Sequence, residues 1–290
     1  MKLGLGTVQF GTDYGIANSG QVDRNELVNI LSSCQESGLV TLDTSPGYGD
    51  AERKLGQTGM MDKFDIITKM NNLDEALTDQ AAEKMALSNL KSSLNQLGVG
   101  QVNGVICHNP NATRSNAGAI TLRALLSLKQ ACLCQKIGVS IYDNEDVGLI
   151  VKHGGIDLVQ LPLNVFDQRF VHDGSLGRLK EHDIEIHVRS VFLQGLLLME
   201  EHDIAIQKPD ALDATRSFHK YCHEIGVSKI ELALGFVAQL DEVDKILVGV
   251  ATQQQLRQVI EASKLQAQLG DVSRLALSES NIIDPRNWGS

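Results

Sequence analysis

Short apolar segments rich in β-branched residues alternate with longer amphipathic segments along this chain of 290 residues. A run of about four to eight apolar residues between polar positions is typical of a strand buried in a parallel sheet. The predicted strands cover residues 3–9, 40–43, 65–69, 102–107, 136–140, 157–163, 184–191 and 245–250. The amphipathic segments predict helices over residues 24–37, 50–56, 78–97, 117–131, 143–152, 175–182, 212–225, 228–240 and 252–265.

Alternating strands and helices predict an α/β fold, and the eight strands are the number that a (β/α)8 TIM barrel requires. No linker or change of composition divides the chain, so we expect a single domain over residues 1–290. A doubly wound nucleotide-binding sheet is the competing arrangement, because Gly4 and Gly6 begin a glycine-rich fingerprint. That fingerprint fails at Gln9, where its last glycine belongs, and a loop rather than a helix is expected to follow.

The composition of the chain limits which binding partners and which cellular compartment we expect. The formal net charge is -10 and no basic run offsets it, which argues against nucleic acid or an anionic membrane as partner. The five cysteines include no CxxC pair, and the histidines show no metal-ligand spacing, so we expect neither a disulfide framework nor a metal site. Because the sequence shows no leader and no membrane span, we expect a cytoplasmic protein of unknown oligomeric state.

Polar residues capable of acid–base chemistry follow three successive predicted strands. Asp43 ends the second strand, Lys69 ends the third and His108 follows the fourth, while Tyr48 lies in the loop after the second. In a parallel barrel the carboxyl ends of the strands converge on one pocket, so we expect these side chains to meet there.

Each of these residues also has a structural interpretation when it is taken alone. An aspartate at a strand end is often a turn or cap residue, and a tyrosine in a Pro-Gly-Tyr-Gly loop is often an exposed aromatic. A lone lysine is usually a surface charge, and a lone histidine can satisfy a loop carbonyl. Their joint occurrence at barrel-strand ends favours the catalytic interpretation.

The sequence DTSPGYGDAERKLG, over residues 43–56, resembles the signature DTAxxYGxxExxxG of the aldo-keto reductases. The resemblance continues in family order with the third-strand Lys69 and the fourth-strand His108. It implies a barrel enzyme in which Tyr48 protonates a carbonyl oxygen while a nicotinamide cofactor delivers hydride. Lys69 would ease ionisation of the phenol, Asp43 would keep the lysine charged, and a neutral His108 would orient the carbonyl.

The same resemblance implies a cofactor site over the barrel mouth, binding NADP(H) or NAD(H). The implied cofactor-binding residues are Thr7, Asp43, Ser140, Gln160, Arg189, Ser190, Gln194, Gly249, Thr252, Gln255 and Gln258. Arg189 stands where the family commonly has an aromatic residue beneath the nicotinamide, and its planar guanidinium could stack there. The basic residue that often meets the 2′-phosphate is missing, with Arg257 as the nearest candidate, which leaves the choice of cofactor open.

The expected substrate is a small aldehyde or ketone, or the matching alcohol. Aromatic residues make up only 4% of the chain, which favours a polar substrate such as a sugar over a steroid. The candidates for the substrate entrance are Tyr14, Phe166, Phe170 and Trp288. For Trp288 the alternative is packing beneath the C-terminal tail, and this is the outcome we expect. Two other functions remain open, namely a lyase that uses Lys69 to form a Schiff base and a non-catalytic barrel that binds a nicotinamide nucleotide.

Overall fold

Eight parallel strands close into one barrel in the computed structural model, which describes residues 2–16, 22–108, 113–264 and 268–288. Each strand pairs with the next in sequence, and the first also pairs with the last. The strands are β1 (Leu3–Gly6), β2 (Thr41–Asp43), β3 (Asp65–Met70), β4 (Val102–Cys107), β5 (Cys134–Ser140), β6 (Leu158–Pro162), β7 (Glu185–Arg189) and β8 (Lys245–Gly249). The predicted (β/α)8 architecture is therefore confirmed.

Helices occupy most of the connections between strands. Those of the described residues are α1 (Val8–Gly11), α2 (Arg24–Glu36), α3 (Ala51–Gly56), α4 (Asp79–Leu97), α5 (Asn116–Gln130), α6 (Glu145–His153), α7 (Arg169–His172), α8 (Ser175–Lys180), α9 (Glu201–Gln207), α10 (Leu212–Ile225), α11 (Lys229–Ala238), α12 (Gln253–Ala262) and α13 (Ser280–Ile283). Short 3-10 turns lie at Met61–Lys63, Leu193–Leu198, Pro209–Ala211, Val272–Leu275 and Pro285–Asn287. None of the described helices is both long and apolar enough to cross a membrane.

The apolar core has two parts, as the barrel architecture requires. A large cluster packs the helices onto the outside of the strands. A small cluster of Ile67, Ile106 and Leu158 fills the barrel interior, where these side chains are at most 1% exposed. Gly138 allows this close packing, because a Cβ there would lie 2.3 Å from the carbonyl oxygen of Leu158.

The first connection differs from the prediction. The strand predicted over residues 3–9 ends at Gly6, and the expected loop begins as the helical turn α1. A helix of four residues is too short to show amphipathic periodicity in the sequence, which explains the error. This turn brings Gly11 so close to the carbonyl oxygen of Tyr48 that a Cβ would lie 1.8 Å from it. The turn therefore packs directly against the loop that carries Tyr48.

The aromatic residues separate into core and surface. Phe166 and Phe170 are at most 1% exposed and belong to the core, so the prediction that they line the entrance is wrong. Trp288 packs against the core from the tail and donates a hydrogen bond from its ring nitrogen to the carbonyl of Ile282. Tyr14 faces the cavity at the barrel mouth.

Candidate active site

A buried ion pair joins the ends of two neighbouring strands. Lys69 of β3 donates a hydrogen bond of 2.5 Å from Nζ to Oδ2 of Asp43, the last residue of β2. The same ammonium group donates to the carbonyl of Thr44 at 3.0 Å. Gln160 of β6 donates from Nε2 to the other carboxylate oxygen of Asp43 at 2.8 Å. Both charges are therefore compensated, as buried charges need to be.

The ion pair keeps Lys69 protonated. Complete burial of the ammonium group would lower the pKa of Lys69, but the charge of Asp43 and the neighbouring Tyr48 raise it, and the balance lies above its usual value. A lysine acts as a nucleophile only when it is neutral. The geometry therefore suits Lys69 to electrostatic support of a neighbour and not to Schiff-base formation.

Tyr48 lies beside this lysine in the loop between β2 and α3. Its ring centroid is 4.9 Å from the Lys69 ammonium, and its backbone amide donates to the carbonyl of Ser45 at 3.0 Å. Burial raises the pKa of Tyr48, and the charge of Lys69 offsets only part of this rise. The phenol is consequently protonated at neutral pH, which is the form that a proton donor requires.

The last member of this group is His108, the residue that directly follows β4. Its ring meets the Tyr48 ring edge to face, with centroids 6.2 Å apart and an angle of 88° between the planes. Burial lowers the pKa of His108 to about 4, and the charge of Lys69 acts in the same direction. The imidazole is therefore neutral at pH 7 and can donate one hydrogen bond to a carbonyl oxygen while adding no second cation.

A cavity of about 740 Å³ opens above these four residues at the carboxyl ends of the strands. Its wall contains most of the residues that the sequence predicted for catalysis or cofactor binding. These wall residues are Thr7, Asp43, Tyr48, His108, Gln160, Arg189, Ser190, Gln194, Gly249, Gln255 and Gln258. Lys69 lies behind the wall, since its side chain is fully buried.

Two predicted cofactor residues do not lie in the cavity wall. Ser140 ends β5 in register with Gln160 and is 1% exposed, and its Oγ has no hydrogen-bond partner. Thr252 caps α12, where its hydroxyl accepts a hydrogen bond from the amide of Gln255. Both residues adjoin wall residues, so their predicted contacts with a cofactor stay predictions.

Sequence reasoning missed Tyr142, which lies in the cavity wall two residues after β5. Two guanidinium groups lie over its ring, with the Cζ of Arg189 at 4.1 Å and the Cζ of Arg286 at 3.7 Å from the centroid. Arg286 is held by Asp284, which also accepts from the backbone amide of Arg286. The segment after α13 thus supports the cavity wall through Tyr142.

At least one face of the Arg189 guanidinium group is therefore covered by the protein itself. Its guanidinium donates to the carbonyl of Ile141 at 3.3 Å and to Oγ of Ser190 at 3.5 Å while it lies over Tyr142. Its predicted stacking beneath a nicotinamide ring stays a prediction. The sequence gives no signal for the contact between Arg189 and Tyr142, because Arg189 ends β7 whereas Tyr142 follows β5.

The loop after β7 has an unusual backbone conformation. Ser190, Leu193 and Gln194 have positive φ angles of 62°, 48° and 53°, a region that side chains other than glycine rarely adopt. The carbonyl of Gln194 accepts a hydrogen bond of 3.3 Å from the amide of Ile16, so this loop touches the loop after α1 across the mouth. Non-glycine residues in this conformation cluster at ligand-binding sites.

Comparison with known families identifies the class of protein. The model of the aldo/keto reductase family matches residues 2–277, and the chain therefore belongs to that family. It is an NAD(P)H-dependent oxidoreductase that reduces carbonyl groups, as the sequence predicted. Among curated proteins, the NADH-specific methylglyoxal reductase of Escherichia coli strain K12 is 22% identical over 310 residues, covering 96% of this chain and 94% of that protein.

Solved structures show the same fold at low sequence identity. An aldo-keto reductase from Bacillus halodurans in its holo form superposes with a TM-score of 0.75 at 17% identity, covering 99% of this chain and 95% of that one. A structure from Pseudomonas aeruginosa, described as an aldo-keto reductase, gives a TM-score of 0.66 at 21% identity over 92% and 90% of the two chains. Both comparisons support the barrel architecture.

The residues at the barrel mouth fit a nicotinamide dinucleotide. The cavity volume of about 740 Å³ is within the range of ordinary ligand sites. The buried, unpartnered Oγ of Ser140 stands beside Gln160 in the sheet register, and Gln160 uses only its amide nitrogen on Asp43. A carboxamide can pair with both groups. Among the described residues, no cluster of three or more His, Cys, Asp or Glu side chains could hold a metal ion.

Proposed function

We propose that Tyr48 is the proton donor for reduction of an aldehyde or ketone, with Lys69 and Asp43 as its electrostatic support and His108 as the group that orients the carbonyl. One observation carries this proposal. The phenol and the imidazole line one cavity, the ammonium group lies buried beside the phenol, and the protonation state of each suits its role.

The roles follow from charge. The carbonyl oxygen gains negative charge during reduction and accepts a proton from the Tyr48 hydroxyl. Lys69 lies 4.9 Å from the tyrosine ring and stabilises the phenolate that remains. Asp43 keeps this lysine charged, and Gln160 fixes the carboxylate. A neutral His108 donates a hydrogen bond to the same carbonyl oxygen.

A bound nicotinamide cofactor supplies the hydride. We propose that Ser140 and Gln160 hold its carboxamide, and that Arg189 packs beside its ring. The pyrophosphate would lie at the loops after β7 and β8, where barrels commonly bind phosphate. The residues proposed for these loops are Ser190, Gln194, Gly249, Thr252, Gln255 and Gln258, with Thr7 and Asp43 on the barrel floor.

The proposed substrate is a small polar carbonyl compound. Tyr14, Tyr142 and Arg189 give the cavity wall hydroxyl and guanidinium groups close to Tyr48 and His108. Such groups suit a sugar or sugar derivative, or a compact dicarbonyl of the kind that the Escherichia coli relative is named for. We also propose that the chain acts as one cytoplasmic domain with neither nucleic acid nor membrane as partner, in keeping with its net charge of -10.

A substrate panel with Tyr48→Phe tests the proposal. Aldehydes, sugars and dicarbonyls are added to the purified protein with NADH or NADPH, and loss of the reduced cofactor is followed. We expect turnover that falls about 100- to 10,000-fold in Tyr48→Phe, because one general acid contributes about that factor. Turnover that survives the substitution would contradict the role of Tyr48.

Two further measurements test the other functions. Binding of a dinucleotide without turnover on any substrate would favour a non-catalytic sensor. Trapping with borohydride in the presence of a carbonyl compound would detect a Schiff base on Lys69. We expect no adduct, because Asp43 holds the lysine in its charged form.

A further inference from the structure

Arg189, the last residue of β7, brings to the cavity wall a positive charge that no carboxylate offsets. Among the residues that the structure describes, its guanidinium group forms no ion pair. Its hydrogen bonds go to uncharged oxygens, the carbonyl of Ile141 at 3.3 Å and Oγ of Ser190 at 3.5 Å. A guanidinium group stays charged at all ordinary pH values. The wall therefore holds a permanent cation.

The other charges around the catalytic group occur in pairs. Lys69 pairs with Asp43 behind the wall. Arg286, which lies over the same tyrosine ring as Arg189, pairs with Asp284. The remaining acidic residues of the wall are exposed to water, which weakens their effect inside the cavity, and they are Glu200 and Asp203. The charge of Arg189 is thus left uncompensated.

This charge acts on groups that surround the proposed carbonyl position. Burial lowers the pKa of His108 to about 4, with smaller contributions in the same direction from the charges of Lys69 and Arg189. Burial raises the pKa of Tyr14, and the charge of Arg189 is the largest influence that opposes this rise. Tyr14 and His108 both line the cavity with Tyr48. The field of the guanidinium group therefore reaches the part of the cavity where a carbonyl is reduced.

Hydride transfer requires the nicotinamide ring in this same part of the cavity. The hydride moves directly to the carbonyl carbon, so the ring must contact a carbonyl that is held by Tyr48 and His108. The buried Oγ of Ser140, which has no hydrogen-bond partner within the described ranges, suits the carboxamide of that ring. Arg189 donates to the carbonyl of Ile141, the next residue in the chain. A ring held at Ser140 therefore lies close to the guanidinium group.

The two oxidation states of the cofactor differ in the charge of this ring. The reduced ring is neutral. Reduction of the carbonyl breaks a C–H bond of the ring, and the hydrogen and both electrons form a C–H bond at the carbonyl carbon. Tyr48 supplies the proton to the oxygen, and one positive charge remains on the ring. A fixed cation beside the ring repels this oxidised form and exerts no such force on the neutral one.

We propose that Arg189 makes the site bind the reduced nicotinamide cofactor more tightly than the oxidised one, because its guanidinium group places an uncompensated positive charge beside the ring. This inference rests on the proposed function, since it takes the ring to lie at the carbonyl held by Tyr48 and His108. Discrimination of this kind comes from repulsion of the wrong ligand. The same repulsion favours release of the oxidised cofactor after turnover, although it opposes the gain of charge during hydride transfer.

The test compares the binding of two cofactor pairs, NADH with NAD+ and NADPH with NADP+. Fluorescence titration gives the Kd of each reduced cofactor, and competition against it gives the Kd of the oxidised one. Arg189→Gln removes the charge and keeps a donor group, whereas Arg189→Lys keeps the charge. Arg274→Gln is the matched control, because Arg274 also lies over a tyrosine ring, that of Tyr221, but outside the mouth cavity. Circular dichroism and melting temperatures establish that each variant is folded.

We expect the ratio of the oxidised to the reduced Kd to fall about tenfold in Arg189→Gln. In Arg189→Lys and Arg274→Gln the ratio should stay within about threefold of the wild-type value. The ratio isolates the effect of charge, because a loss of packing weakens both oxidation states alike.

An unchanged ratio in Arg189→Gln would overturn the inference, as would an equal fall in Arg189→Lys. Either result would leave the proposed roles of Tyr48 and Lys69 intact. A wild-type protein that binds neither cofactor pair would overturn both the inference and the proposed function.

Discussion

Gln160 donates a hydrogen bond of 2.8 Å to Asp43, a residue 117 positions earlier in the chain. The two lie on β6 and β2, which are separated by three strands in the barrel order, so the bond crosses the barrel interior. It occupies one oxygen of the carboxylate and leaves the other for Lys69. The barrel thus fixes the orientation of the carboxylate that keeps the lysine charged.

The pair of Asp43 and Lys69 predicts a specific pattern in a double-mutant cycle. Lys69→Met leaves the Asp43 carboxylate buried without its cation, and we expect a loss of about 3–5 kcal/mol in the free energy of unfolding. Adding Asp43→Asn removes the stranded charge, so the double variant should regain part of this stability. Denaturant unfolding of the single and double variants measures the coupling.

Activity should not follow stability in this cycle. Without an ammonium group beside Tyr48, the double variant is expected to stay as inactive as Lys69→Met. Recovered turnover in the more stable double variant would show that Lys69 serves the fold alone.

The pKa of Tyr48 predicts opposite pH dependences for the two directions of the reaction. Reduction needs the protonated phenol, whose pKa lies above its usual value because of burial. The rate of reduction should therefore be level through neutral pH and fall only above about pH 10. Oxidation of the alcohol needs the phenolate and should rise over the same alkaline range. Steady-state profiles of kcat/KM in both directions check this, and parallel profiles would contradict the assignment.

The lowered pKa of His108 predicts that the folded protein loses stability in mild acid. Its pKa is about 4 in the folded protein, below its usual value of about 6.5. Between these values the unfolded chain binds a proton that the folded protein does not bind, so stability falls as pH is lowered from about 6.5 to about 4. His108→Gln should have a flatter profile in this window. Melting temperatures across the range test it, and equal slopes in both proteins would refute it.

We predict that Arg286, which lies outside the catalytic group, affects substrate binding. Arg286→Ala removes the cation from the Tyr142 ring, which also supports Arg189 in the cavity wall. We expect KM to rise about two- to fivefold with a smaller change in kcat, since a cation–π contact contributes about 0.5–1 kcal/mol.

Arg274→Ala is the matched control for that prediction. Arg274 lies 4.0 Å from the Tyr221 ring centroid and pairs with Glu224, so the lost interactions are of the same kind. Neither Tyr221 nor Arg274 lines the mouth cavity. Similar destabilisation in both variants, with a change of KM in Arg286→Ala alone, is the expected result.

The barrel and the grouping of Asp43, Tyr48, Lys69 and His108 could be predicted from the sequence because both depend on strand ends. Hydrophobic periodicity locates the strands, and parallel topology brings their carboxyl ends together. A polar residue at a strand end can then be assigned to one pocket from the sequence alone.

The remaining features depend on contacts that no local pattern encodes. Tyr142 follows a strand end, yet its partners Arg189 and Arg286 come from β7 and from the segment after α13. Glu26 looks like an ordinary first-turn residue of α2, yet its carboxylate accepts a hydrogen bond from the backbone amide of Gln253 at the start of α12. The left-handed conformation of Leu193 and Gln194 carries no sequence mark, because neither residue is glycine.

That left-handed segment limits how the pocket can be redesigned. Leu193 and Gln194 would tolerate glycine or asparagine but would resist valine, isoleucine or proline, since β-branched and cyclic side chains are strained at positive φ. A mutational library that treats all wall positions alike would therefore lose many members to misfolded loops. Tyr14 and Tyr142 have ordinary φ angles and are the better positions at which to vary the substrate range.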